Sequence, residues 1–170
     1  ALASEGGTCM LRLADIEAAS VRALLSRHGL ELVLVAEGEP IPGSYWGECE
    51  AGLIGSQVFA RSDTPVHSLL HEACHLMVMP AERRAQVHTD ASDSIAEEDA
   101  ACYLQIMLAD QLPGVGQARL MQDMDAWGYS FRLGSTRAWF EQDAVETRAW
   151  LMQRGLLPPH APEASGADTR

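Results

Sequence analysis

Lysine is absent from this sequence, and positive charge is scarce. All 12 basic residues are arginine, against 24 aspartates and glutamates, and the formal net charge at pH 7 is −12. The arginines are not gathered into a basic cluster in any segment. Because an acidic protein repels a phosphate backbone, this composition argues against nucleic acid as a partner.

The sequence also lacks long hydrophobic runs and paired cysteines. Its apolar runs fall well short of the roughly 18 residues that a membrane-spanning helix needs. No basic segment followed by an apolar core marks a signal peptide. The four cysteines include no C-x-x-C pair and do not have the spacing of a disulfide scaffold. We therefore expect a cytoplasmic protein, of bacterial type from its arginine- and alanine-rich usage, with reduced thiols and no membrane partner.

The length and the hydrophobic pattern predict one α+β domain over residues 10–155, with flexible ends at 1–9 and 156–170. A small three-stranded sheet, antiparallel or mixed, should pack on the helix that carries the site, and the C-terminal half should be mostly helical. Periodicity predicts helices over 11–28, 65–79, 95–112, 116–128 and 135–155. Strands are predicted in 30–37 and on both sides of a Gly55-Ser56 turn within 49–62, and 81–94 reads as a loop.

The segment HSLLHEACHLMVMP, residues 67–80, contains the pattern H-E-x-x-H. On a helix, His71 and His75 project from one face one turn apart, so both can bind one zinc ion at about 2.0–2.1 Å. Glu72 adjoins the first histidine, where it can take a proton from zinc-bound water as a general base. Cys74 rotates away from the histidines, and we interpret it as a packed thiol.

A catalytic zinc site needs a third protein ligand and an open fourth position. The extended metzincin pattern is excluded because Val78 and Ala81 stand where it requires Gly and His. The downstream candidates are Asp90, Asp93, Glu97, Glu98, Asp99 and His88.

Helical phase favours Glu97 as the third ligand, because it lies in line with apolar residues of its own predicted helix, 95–112, and a buried carboxylate needs a cation. Glu98 lies in line with Cys102 and Gln105, on the most polar side. An alternative role for Glu97 is in a capping box, since Ser94-x-x-Glu97 has the required spacing.

Together, the motif around His71 and the segment Glu97–Tyr103 (EEDAACY) resemble the ImmA/IrrE family of gluzincin-type zinc metallopeptidases. The resemblance covers roughly residues 11–112 and implies that His71, His75 and Glu97 bind one Zn²⁺ per chain, with Glu72 as the catalytic base. The family usually has Asn or Asp, which supports the ligands, where this chain has Ala101.

These observations predict a zinc-dependent metallopeptidase acting on a peptide or protein, which is a regulatory protein if the family resemblance extends to the substrate. The oxyanion formed during hydrolysis needs a donor, and the candidates are Tyr129, Arg132 and His88, with Tyr129 preferred. The alternatives are an inactive zinc-stabilised interaction or sensing module and a metal-free helical adaptor.

Overall fold

The structure is a computed structural model that describes residues 10–44, 47–88 and 94–158. The expected flexible ends 1–9 and 156–170 lie outside these residues except for 156–158, and so do the candidate ligands Asp90 and Asp93. In the described part, a 3-10 turn at Leu13–Asp15 precedes the following elements: α1 Ala18–Arg27, β1 Glu31–Val35, β2 Gly52–Ile54, β3 Gln57–Arg61, α2 Val66–Val78, α3 Ala81–Arg84, α4 Ile95–Ala109, α5 Gly116–Trp127, α6 Thr136–Gln142 and α7 Val145–Gln153.

The three strands form a mixed sheet in the order β1-β3-β2. β1 pairs with β3 in parallel, with Leu32 opposite Val58, and β2 pairs with β3 in antiparallel fashion. The β2–β3 hairpin turns at Gly55-Ser56, as predicted, and Gly55 has a φ of +60°, which a glycine adopts without strain. The predicted α+β class, with a mixed three-stranded sheet and a helical C-terminal half, is confirmed.

Two predicted helices differ from the observed ones. The first begins only at Ala18, because residues 11–12 run extended before the 3-10 turn: the Leu11 N–H donates to Asp123 and the Leu13 N–H to the Thr64 carbonyl. The predicted helix over 135–155 is two helices, α6 and α7. Asp143, at the break, accepts hydrogen bonds from Arg132 in the preceding loop, and its backbone leaves helical geometry there.

Helix α2 is the centre of the hydrophobic core. It contacts β2 and β3 as well as α4 and α5. Pro65 precedes its first residue and Met79 follows its last, close to the predicted limits. Of its 13 residues, all are buried except His71 and Glu72. The core therefore holds α2 rigidly while leaving two residues of the motif with access to solvent.

The helices of the described residues are all too short or too polar to cross a membrane.

Gly52 in β2 lies where the loop before the strand crosses closely over it. A Cβ at this position would overlap the Pro42 carbonyl oxygen and the backbone of Gly43 and Ser44. We predict that Gly52→Ala lowers the free energy of unfolding by about 3 kcal/mol, the upper range for overpacking. Urea denaturation would measure the loss.

The matched control is Gly38→Ala. Gly38 has a φ of +82°, but a Cβ added to it would have no other atom within 4 Å. Gly38→Ala should lower the free energy of unfolding by only about 1 kcal/mol, the cost of placing alanine in the left-handed backbone conformation. Equal losses for the two variants would contradict the close crossing at Gly52.

Candidate metal centre

His71, His75 and Glu98 form a group that could hold a metal ion, because one donor atom from each lies within 4.8 Å of the others. His75 Nε2 is 2.8 Å from Glu98 Oε1, and His71 Nε2 is 3.2 Å from Glu98 Oε2. The two imidazole rings are 4.7 Å apart between centroids and nearly perpendicular. The i, i+4 spacing on α2 thus brings both Nε2 atoms to the same carboxylate on α4.

The structure brings Glu98, and not Glu97, to the two histidines, which corrects the expectation for the third ligand. The carboxylate of Glu97 instead forms an ion pair with Arg83, 2.9 Å between Nη1 and Oε2. The backbone N–H of Glu97 donates to the Ser94 hydroxyl, so Ser94 caps α4. The Ser94 half of the capping box expected as the alternative role of Glu97 is therefore present at this helix start.

The reason for the difference is the burial of α4. This helix packs against α2, α5 and α7, so apolar residues surround its middle and do not mark a single inner face. The side that meets α2 carries Glu98, Cys102 and Gln105, which repeat at helical spacing. One residue earlier in the turn, Glu97 points to α3. The useful sequence signal was a line of polar residues on an otherwise apolar helix.

The site is enclosed on the histidine side and open on the carboxylate side. The side chains of His71 and His75 are 12% and 7% exposed, whereas that of Glu98 is 50% exposed. Two largely enclosed imidazoles and one solvent-facing carboxylate leave one side of the site from which water or a ligand can approach.

Charge around the histidine pair is predominantly negative. Burial alone would raise the pKa of Glu98, but hydrogen bonds from His71 and His75 hold it well below its usual value. Burial alone would lower the pKa of His71, yet Tyr129 and the hydrogen bonds with Cys102 and Glu98 keep it above the usual range. Half-buried Glu50 interacts electrostatically with His71, and burial raises its pKa. This potential favours a cation.

Glu72 is the second accessible residue of α2 and adjoins His71. Burial raises the pKa of its carboxyl group, and the charges of His71 and His75 offset part of that rise. A carboxyl group whose pKa lies above its usual range accepts a proton more readily, which is what a general base requires.

Tyr129, the preferred oxyanion donor, follows the end of α5 and lies beside the histidines. Its hydroxyl is 3.2 Å from Nδ1 of His67, and its ring centroid is 5.7 Å from that of His71. His67 is buried one turn before His71, and burial lowers its pKa to about 3, so it is neutral at pH 7. Burial raises the pKa of Tyr129, which keeps the phenol protonated.

Gln105 on α4 contacts α2 at His71 and at His67. Its Oε1 is 2.7 Å from Nδ1 of His71, and its Nε2 donates to the His67 carbonyl oxygen at 3.2 Å. Ala101, where the resembling family has a polar residue, is fully buried. Support for the ligands therefore comes from one turn later on the same helix.

The remaining candidates lie elsewhere. His88 is exposed and forms a backbone bridge to Ile54 of β2, outside the group of three donors. Arg132 is bonded to Asp143. Asp99 does not belong to the donor group. Cys74 is fully buried, and burial raises its pKa far above the usual value, which fits a packed and unreactive thiol.

Comparison with known proteins returned no matching family model, no matching curated protein and no matching solved structure. The resemblance to the ImmA/IrrE family therefore stays a prediction from its two short motifs. The geometry of the site itself is the basis for a functional proposal.

Adjacent glutamates on α4 offer a direct test of the ligand set. We predict that Glu98→Gln lowers zinc affinity at least about 10-fold, because the third ligand loses its charge. Glu97→Gln should leave zinc affinity unchanged while losing the Arg83 ion pair. Competition with a chromophoric chelator would measure both affinities. A larger loss in Glu97→Gln than in Glu98→Gln would contradict the assignment.

Proposed function

We propose that this protein is a zinc-dependent metallopeptidase. The observation that carries the proposal is the convergence of His71, His75 and Glu98 beside Glu72, the one other accessible residue of the buried helix α2. The sequence motif explains three of these four residues, and the structure supplies the fourth from α4.

The donor set suits zinc. Two imidazole nitrogens and one carboxylate oxygen are a common three-ligand set in hydrolytic zinc sites, which keep a further position open. The exposure of Glu98 leaves room for that position. A divalent ion bound here would polarise a carbonyl group and lower the pKa of water.

The chain's own residues would supply the proton transfers. Glu72 takes a proton from the attacking water and later donates it to the leaving amine, so one carboxyl group acts first as base and then as acid. Its burial raises its pKa, which suits both steps. His71, His75 and Glu98 would hold the ion beside Glu72.

Tyr129 is the group we assign to the developing oxyanion. Its hydroxyl lies 3.2 Å from Nδ1 of His67 and its ring lies against His71. In this position a protonated phenol can turn its hydroxyl from His67 to a substrate oxygen. Preorganised donors of this kind stabilise the transition state because they need little reorganisation.

The substrate class is a peptide or a protein segment, entering from the side on which Glu98 is exposed. Addition of a substrate strand to β2 is disfavoured, because its outer edge already has backbone partners. The Leu53 N–H donates to the Gly43 carbonyl at 3.2 Å, and the Gly55 N–H donates to the Val87 carbonyl at 2.9 Å.

A second candidate is a zinc-stabilised module without catalysis, and Cys102 is the observation in its favour. Its Sγ lies 4.0 Å from Glu98 Oε2, one turn along α4. A thiolate at that position could fill the fourth place around the ion and close the site to water. However, burial raises the pKa of Cys102, which opposes the thiolate.

Glu72→Gln tests the proposed base. We expect zinc content to persist while hydrolysis falls about 10²–10⁴-fold, the range for losing a general base. Cleavage of labelled casein and of a fluorogenic peptide mixture would report activity, and elemental analysis would report zinc. The control is Glu82→Gln on the exposed helix α3, which should keep full activity.

Two results would contradict the proposal. Full activity in Glu72→Gln would remove this residue from the role of base. Zinc-loaded protein that cleaves neither probe, and gains no activity in Cys102→Ala, would favour the non-catalytic module.

Tyr129→Phe tests the oxyanion donor. The change removes one hydroxyl and keeps the ring packed against His71 and His67. We expect kcat to fall about 10²-fold with little change in KM, because the lost bond forms only in the transition state. Steady-state kinetics would separate the two constants, and a change confined to KM would argue for substrate binding instead.

A further inference from the structure

Gln105 is a fully buried amide within the apolar middle of α4. A buried amide is costly unless its hydrogen bonds are made, and Gln105 makes them to α2 at two places. Its two ends reach the Nδ1 of His71 and the backbone carbonyl of His67, one turn apart on α2.

These two contacts fix the direction of the amide. A backbone carbonyl oxygen only accepts, so the NH₂ end of Gln105 must face His67. The Oε1 end then faces His71 at 2.7 Å, and a carbonyl oxygen also only accepts. The proton of this hydrogen bond therefore belongs to Nδ1 of His71. Nε2, the atom that faces Glu98, is then the ring nitrogen that gives up its proton when a metal ion binds.

We propose that Gln105 is a positioning residue that fixes His71 in its Nδ1–H tautomer and aims the Nε2 lone pair at the metal position. This inference rests on the metal centre of the proposed function. It adds to that centre a residue, Gln105, that is not part of the H-E-x-x-H motif. A partner on the second ring nitrogen of a metal-binding histidine commonly sets its tautomer and orientation.

His75 shows what Gln105 adds. The Nδ1 of His75 is buried and has no hydrogen-bond partner within the described residues. Of the two histidines, only His71 thus has its second nitrogen held by a side chain of α4 there. Because Gln105 is anchored on α2 as well, it also keeps α4, and with it Glu98, in register with the histidine pair.

Gln105→Leu removes the amide and keeps a similar volume. We expect the zinc dissociation constant to rise about 10- to 100-fold, the usual effect of losing such a partner. In zinc-free Glu98→Ala, where no carboxylate competes for the proton on Nε2, ¹⁵N NMR at alkaline pH should show His71 in the Nδ1–H tautomer. Gln105→Leu in the same background should show a mixture of tautomers or the Nε2–H form.

Two further variants separate positioning from packing. Ile106→Val removes a buried methyl group from the neighbouring residue of α4 and should change neither the tautomer nor the zinc affinity. Gln105→Glu keeps an acceptor for Nδ1 and should restore the Nδ1–H tautomer, whatever its effect on stability. Circular dichroism would confirm that each variant is folded.

An Nε2–H tautomer in zinc-free Glu98→Ala would overturn the inference, as would a tautomer and a zinc affinity that a folded Gln105→Leu leaves unchanged. A failure of the proposed function would give a different result from a failure of this inference. A wild type that does not bind zinc contradicts the metal centre, while the tautomer measurement on zinc-free protein still decides the role of Gln105.

Discussion

The carboxylate of Glu98 joins the two helices on which the site is built. It lies 2.8 Å from Nε2 of His75 and 3.2 Å from Nε2 of His71, so one group on α4 meets both imidazoles of α2. Three donor groups this close together, one of them the negatively charged carboxylate of Glu98, favour the binding of a cation between them. The rest of the fold serves to hold α2 and α4 in this register.

The burial of α2 limits which chemistry the site can perform. All its residues are buried except His71 and Glu72. The helix therefore exposes one imidazole and one carboxyl group to a substrate or to water. Gln105 closes the opposite side by bonding to His71 and to the His67 backbone. Catalysis by preorganised groups depends on such fixed surroundings, because little energy is then spent on reorientation.

Local sequence signals predicted much of this structure. The H-E-x-x-H spacing placed His71 and His75 on one face, two prolines marked the limits of α2, and Gly55-Ser56 marked the hairpin. The choice between Glu97 and Glu98 depended instead on which side of α4 meets α2. Apolar periodicity could not decide this, because α4 is buried on several sides. The parallel pairing of β1 with β3 and the break at Asp143 likewise depend on contacts between distant residues.

Anomalous diffraction at the zinc edge, from crystals of the zinc-loaded protein, would locate the ion. We predict one ion at about 2.0–2.2 Å from Nε2 of His71, Nε2 of His75 and an oxygen of Glu98. Glu97 should remain paired with Arg83. An ion bound away from the histidine pair, or held by Glu97 with Glu98 turned to solvent, would contradict this prediction.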